Sequence, residues 1–91
     1  MLLIERAAMA LCIHDIDLGG QSREEYWRER PRHIRQRCID DVCVVLTALR
    51  EPDSHLTAAG NRAVADCGSL SHQSAIRVWQ AIVDALIAER P

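Results

Sequence analysis

The sequence predicts an all-α fold, a compact bundle of four to five short helices forming one domain over residues 1–91. Three observations lead there. Apolar residues recur at helical spacing along most of the chain. The apolar half of the composition is Leu, Ile, Val and Ala, with no Phe and only Tyr26, Trp27 and Trp79 as aromatics, which suits helices better than strands. Glycine and proline stand where helices of ordinary length would end. A chain of this size buries only about 60% of its unfolded surface, so the stability expected is modest.

The first helix is expected over Leu2 to His14, with Leu3, Ala7, Ala10 and Leu11 as its inward stripe and Gly19-Gly20 in the loop beyond it. Ser22 stands three residues before Glu25, the spacing of a capping box, in which each residue satisfies a backbone amide of the other. A helix should start there. Pro31 either kinks it or opens a new helix, because proline lacks the amide donor and crowds the preceding turn. From Ile34 onward, Ile34, Cys38, Val42, Val45, Leu46 and Leu49 form one stripe, and the helix should stop near Arg50, before Pro52.

Asp53 or Ser54 then caps a helix that carries Leu56, Ala59, Ala63, Val64 and Cys67 on one side. Its interior Gly60 costs about 1 kcal/mol relative to alanine, which a close helix contact at Ala59-Gly60 would offset. Gly68 fits a C-cap, Ser69 or Ser71 an N-cap, and the last helix should run from about His72 to Glu89. Between Ala75 and Ala88 its only polar residues are Arg77, Gln80 and Asp84, all in one narrow stripe. So wide an apolar face belongs either at the centre of the bundle or against another chain, in a homodimer seam or a partner interface.

Ala48-Leu49-Arg50-Glu51-Pro52 is followed by Ala59-Gly60 and then by the closing Trp79-Gln80-Ala81-Ile82-Val83-Asp84-Ala85. In that order these segments resemble small proteins encoded by bacteriophages and prophages of high-GC bacteria. The likeness covers roughly the C-terminal half. It implies a small phage-type helical protein and carries over no catalytic residue. Such proteins commonly act by binding a host macromolecule. The most concrete role implied is therefore an inhibitor of a host protein, with an antiviral-defence machine such as a CRISPR-Cas effector as the target.

The net charge of −2 excludes both a globally basic nucleic-acid binder and a strongly acidic DNA mimic. The charge is unevenly spread. Between Arg23 and Arg37, six arginines stand against three glutamates, a local balance of +3 that leaves −5 to the rest of the chain. All eleven basic residues are arginine, as a GC-rich genome would give.

Trp27, Arg28, Arg30, Arg32, Arg35 and Arg37 are thus the candidate partner-binding residues, for an acidic protein surface first and for nucleic acid second. The competing reading is a solvated helix face, with Glu24 to Arg28 and Glu29 to His33 as internal ion pairs and Trp27 in the core.

Enzymatic, metal and cofactor chemistry find little support. The four cysteines and four histidines make no Cys-x-x-Cys pair, and Cys38 and Cys43, five apart on a helix, point about 140° away from each other. Cys12 with His14 and Cys67 with His72 are the only local nucleophile-base pairs, and neither lies in a motif. No lysine follows Gly19-Gly20, so a phosphate loop is missing. A helix-turn-helix over Leu56 to Ala85 would offer only Arg77 and Gln80 to bases. The start of the chain lacks a basic n-region and breaks its apolar run with Glu5 and Arg6, and no segment reaches the ~20 apolar residues of a membrane span. A cytoplasmic protein with reduced thiols is expected.

Overall fold

The computed structural model describes residues 1–66 and 75–91. Among them are five helices and no strand: α1 (Leu3–Ile13), α2 (Arg23–Glu29), α3 (Arg32–Leu49), α4 (Ser54–Asp66) and α5 (Ala75–Ala88). The all-α bundle expected from the sequence is the fold observed. It is drawn out along one direction, with principal extents of 48 × 24 × 21 Å. α1 packs mainly on α3 and also on α2 and α5, while α4 packs chiefly on α5. No described helix is long and apolar enough to cross a membrane.

Local signals set the helix ends. After α1, Asp17 Oδ1 accepts the Gly19 amide at 3.0 Å, and Gly19 and Gly20 take φ of 57° and 90°, which residues with a Cβ rarely adopt. Ser22 Oγ accepts the Glu25 amide at 3.1 Å, capping α2. The return bond from Glu25 is not formed, so only half of the capping box is present. Pro31 separates two helices. Arg30 is extended, with ψ of 139°, as a residue preceding proline should be, and α3 starts directly after Pro31. At the start of α4, Asp53 is the cap, its Oδ1 accepting the Leu56 amide at 2.8 Å.

The principal core consists of Ile4, Ala8, Met9 and Ile13 from α1, Trp27 from α2, and Ile39 and Cys43 from α3, with Cys12, Leu18, Tyr26, Cys38, Val42 and Leu46 packed against it. This corrects two stripes. On α1 the face turned inward is opposite to Leu3, Ala7, Ala10 and Leu11, which are all exposed. On α3 the inward face is rotated toward Ile39 and Cys43, leaving Val45 and Leu49 54% and 51% exposed. Both helices carry apolar residues on more than one side, so periodicity alone could not choose the phase.

The predicted stripe of α4 is also displaced, since Leu56, Ala59 and Ala63 face outward while Thr57 and Gly60 are half-buried. Cys67 of that stripe, the Gly68 C-cap, the Ser69 or Ser71 N-cap and the predicted first turn from His72 lie outside the described residues. The first described amide of α5 has a cap from another helix, as Asn61 Oδ1 accepts the Ala75 amide at 3.0 Å.

The close approach expected at Gly60 is observed. A Cβ added there would stand 2.8 Å from the Ala75 Cβ, nearer than side-chain carbons come. Gly60→Ala should therefore destabilise the fold by about 1 kcal/mol, because overpacking of about 1–3 kcal/mol outweighs a helix-propensity gain near 1. Urea unfolding of the single variant and of Gly60→Ala with Ala75→Gly checks this. The double variant should recover most of the loss, as contact neighbours do in a mutant cycle.

α5 turns Val83 fully inward and leaves Val78 and Ile82 exposed. Its polar stripe is not simply solvent-facing. Arg50 grips Asp84 with two hydrogen bonds, Nε to Oδ1 at 2.9 Å and Nη2 to Oδ2 at 3.1 Å, and Gln80 Nε2 donates to Glu51 Oε1 at 3.1 Å. Trp79 Nε1 donates to the carbonyl of Leu49, the last residue of α3, at 2.6 Å. Leu49 to Glu51 and Trp79 to Asp84 thus clasp each other across some thirty residues of chain. The Arg50 guanidinium holds Asp84 below the usual carboxylate range, and Asp84 in turn raises Arg50. That contribution is present above the normal aspartate pKa and is lost as pH falls through the depressed one.

Candidate functional site

The arginine segment spans α2, the Arg30-Pro31 break and the first two turns of α3, so one short stretch presents guanidinium groups from two helices. Trp27 is not among the surface groups. It is 3% exposed and part of the core, which removes it from the predicted contact residues. A side chain as apolar as indole, three residues from the half-buried Arg30 and inside an amphipathic turn, is drawn to the interior.

Arg30 is committed within α2. Its guanidinium carbon lies 4.1 Å from the Tyr26 ring centroid and its Nε donates to the Tyr26 carbonyl at 3.3 Å. Arg28, Arg32 and Arg37 are exposed, and Arg35 is half-buried. Among the described residues, none of these five arginines has a carboxylate within 4 Å; the arginine ion pairs are those of Arg50 and of Arg90 with Asp40. The internal pairs of the competing reading, Glu24 with Arg28 and Glu29 with His33, are absent. Glu29 and His33 are separated by the break at Pro31 and do not share a helix.

Arg32, Arg35 and Gln36 line a notch of about 210 Å³ floored by Trp27 and Ile39, with Glu5 of α1 and Pro91 at its sides. The Nε of Arg35 has no solvent access and no hydrogen-bond partner. Buried polar atoms without partners are uncommon, and each costs about 1–3 kcal/mol. The position of Arg35 between helices, rather than its place in the sequence, creates this orphan donor.

A second and larger depression, about 540 Å³, lies between the end of α3, α4 and the start of α5, where Leu49, Pro52, Leu56, Ile76 and Trp79 supply mostly apolar walls. Sequence reading did not anticipate it, since its walls come from three helices.

Three cysteines, Cys12, Cys38 and Cys43, have structural settings. Cys38 lies beside Cys12 across the α1–α3 contact, and burial together with that neighbour pushes its thiol up to about 11. A thiol held neutral in this way is a poor nucleophile. Cys43 is buried in the core. No group of three or more metal-ligating side chains occurs among the described residues. Cys67 and His72 lie outside the described residues. Compared with family models, with curated proteins and with solved structures, the chain matches none.

Proposed function

We propose that this chain is a small non-enzymatic interaction protein of phage type that docks its arginine surface, Arg28, Arg32, Arg35 and Arg37, onto an acidic face of a host protein. The observation that carries the reading is the set of guanidinium groups left without carboxylate partners on one segment, while Arg50 and Arg90 are paired elsewhere in the same fold. Unpaired guanidinium groups favour planar oxyanion partners, carboxylate or phosphate. The role that the phage-type resemblance implies is inhibition, most concretely of an antiviral-defence machine such as a CRISPR-Cas effector.

A protein partner is favoured over nucleic acid because the aromatic platform is missing. Trp27 is buried, and Tyr26 is half-buried, packed against the core and covered on one face by Arg30, so neither ring of this segment is an open platform for a base. The outward Val78 and Ile82 of α5 support a homodimer seam as an accompanying proposal, read from the mass of the protein in solution.

The test is affinity capture from a lysate of the host bacterium, with and without nuclease, using the parent chain and the triple variant Arg28→Glu, Arg32→Glu, Arg37→Glu. These three side chains are exposed, so helicity should be unchanged. A stoichiometric protein partner that survives nuclease and binds the triple variant at least about tenfold more weakly is expected. Undiminished binding by the variant would remove the surface. Recovery that depends on nucleic acid, with affinity falling steeply as salt rises, would move the reading to a nucleic-acid accessory protein.

A further inference from the structure

We propose that α1 of a second copy of this chain docks its outward face into the groove between the end of α3, α4 and the start of α5. The inference goes beyond the arginine-surface reading and does not rest on it.

Both surfaces are apolar and, among the described residues, uncovered. On α1, Leu3 and Leu11 are 50% and 44% exposed, with the short Ala7 and Ala10 between them. In the groove, Leu49 and Leu56 are 51% and 58% exposed beside the half-buried Ile76 and Trp79. Apolar side chains gathered in one patch mark an interaction surface, whereas scattered ones need no explanation. The lengths agree. From Leu3 to Leu11 the helix advances about 12 Å, and the wall from Asp53 to Gly60 runs about 10 Å, so two turns of helix match a groove of about 540 Å³.

Charge selects the occupant. Glu51 and Asp53 are the only charged residues lining the groove, and with the nearby Arg50 and Asp84 cancelling each other they leave −2 there. Within Leu3–Ile13, Arg6 is the only arginine or carboxylate on the outward face. It is exposed and has no carboxylate within 4 Å among the described residues, while Glu5 is turned toward the notch at Trp27. An arginine beside leucines thus meets carboxylates beside leucines. The same α1 cannot serve its own groove, because its other face is fixed in the core through Ile4 and Ala8. The arginine segment would offer charge to the groove without an apolar face, since Trp27 is buried.

A contact between two different faces is heterologous, so two copies with complementary defects restore it when mixed. The experiment measures mass in solution by sedimentation equilibrium, from low micromolar to near-millimolar concentration. The parent should rise above the 10.2 kDa of one chain as concentration increases. Leu3→Gln with Leu11→Gln, and separately Leu49→Gln with Leu56→Gln, should each weaken association at least about tenfold. Helicity should be unchanged, because all four side chains are well exposed. An equimolar mixture of the two double variants should form a one-to-one complex, as the intact α1 of one enters the intact groove of the other. Arg6→Lys should retain association and Arg6→Glu should weaken it about tenfold.

A parent that keeps the mass of one chain throughout overturns the proposal. So does undiminished association of either double variant, or a mixture that forms no complex. Association that survives in both double variants and is lost with Val78→Gln and Ile82→Gln overturns it in favour of the outer face of α5. None of these outcomes bears on partner capture by the arginine surface, which the Arg28, Arg32 and Arg37 variant reads separately.

Discussion

Trp27→Ala should lower the unfolding free energy by about 3–5 kcal/mol, the cost of deleting a large aromatic from a packed core. Trp27 is 3% exposed and stands among Ile4, Ala8, Met9, Ile13, Ile39 and Cys43, so it joins α2 to the α1–α3 pair. A chain of this length has of order 5–10 kcal/mol in total, and the variant would be near the edge of folding at 37 °C. Urea unfolding followed by far-UV circular dichroism reads the effect. Arg28→Ala, at the exposed neighbour, should stay within about 0.5 kcal/mol of the parent. A Trp27→Ala protein as stable as its parent would return the indole to the surface and to the list of contact residues. The expected result carries a warning for binding studies: loss of partner capture by this variant reports unfolding rather than a lost contact.

Ile4→Ala should cost about 2–5 kcal/mol, whereas Leu3→Ala, one residue away, should change stability by no more than about 0.5 kcal/mol. The contrast comes from burial, 1% exposed for Ile4 and 50% for Leu3. It tests the phase of α1 directly, because the periodic stripe Leu3, Ala7, Ala10 and Leu11 predicts the reverse order. Thermal or urea melts of the two variants decide it. If Leu3→Ala proves the more damaging, the inward face of α1 is the one its periodicity indicates, and the core lies elsewhere.

Of the candidate site, residue type was legible and availability was not. Six arginines against three glutamates can be counted along the chain. Whether Arg30 is spent on Tyr26, or Arg35 Nε is left without an acceptor, depends on neighbours from α2, α3 and α1. The helix break at Pro31 decides the matter of Glu29 and His33, which look like an i, i+4 pair in one dimension and belong to different elements in three.

What the sequence determined by itself are features whose causes lie within four or five residues. The Gly19-Gly20 loop, the Ser22 cap and the end of α3 before Pro52 follow from local backbone chemistry and stand where a short window places them, whereas the structure chose between the alternatives left open at Pro31, which separates two helices, and at Asp53 or Ser54, where Asp53 is the cap. Gly60 belongs with the local features, since a glycine retained inside a helix signals close approach, although only the fold could supply Ala75 as the neighbour. The tertiary structure alone decided which faces of α1, α3 and α4 turn inward, that Trp27 belongs to the core, and that Arg50 reaches Asp84 across 34 positions. The physical reason is the same in each case. A helix apolar on more than one side has no unique inward phase, and an ion pair between distant segments has no local trace, so both are resolved only when several helices compete to bury the same surface.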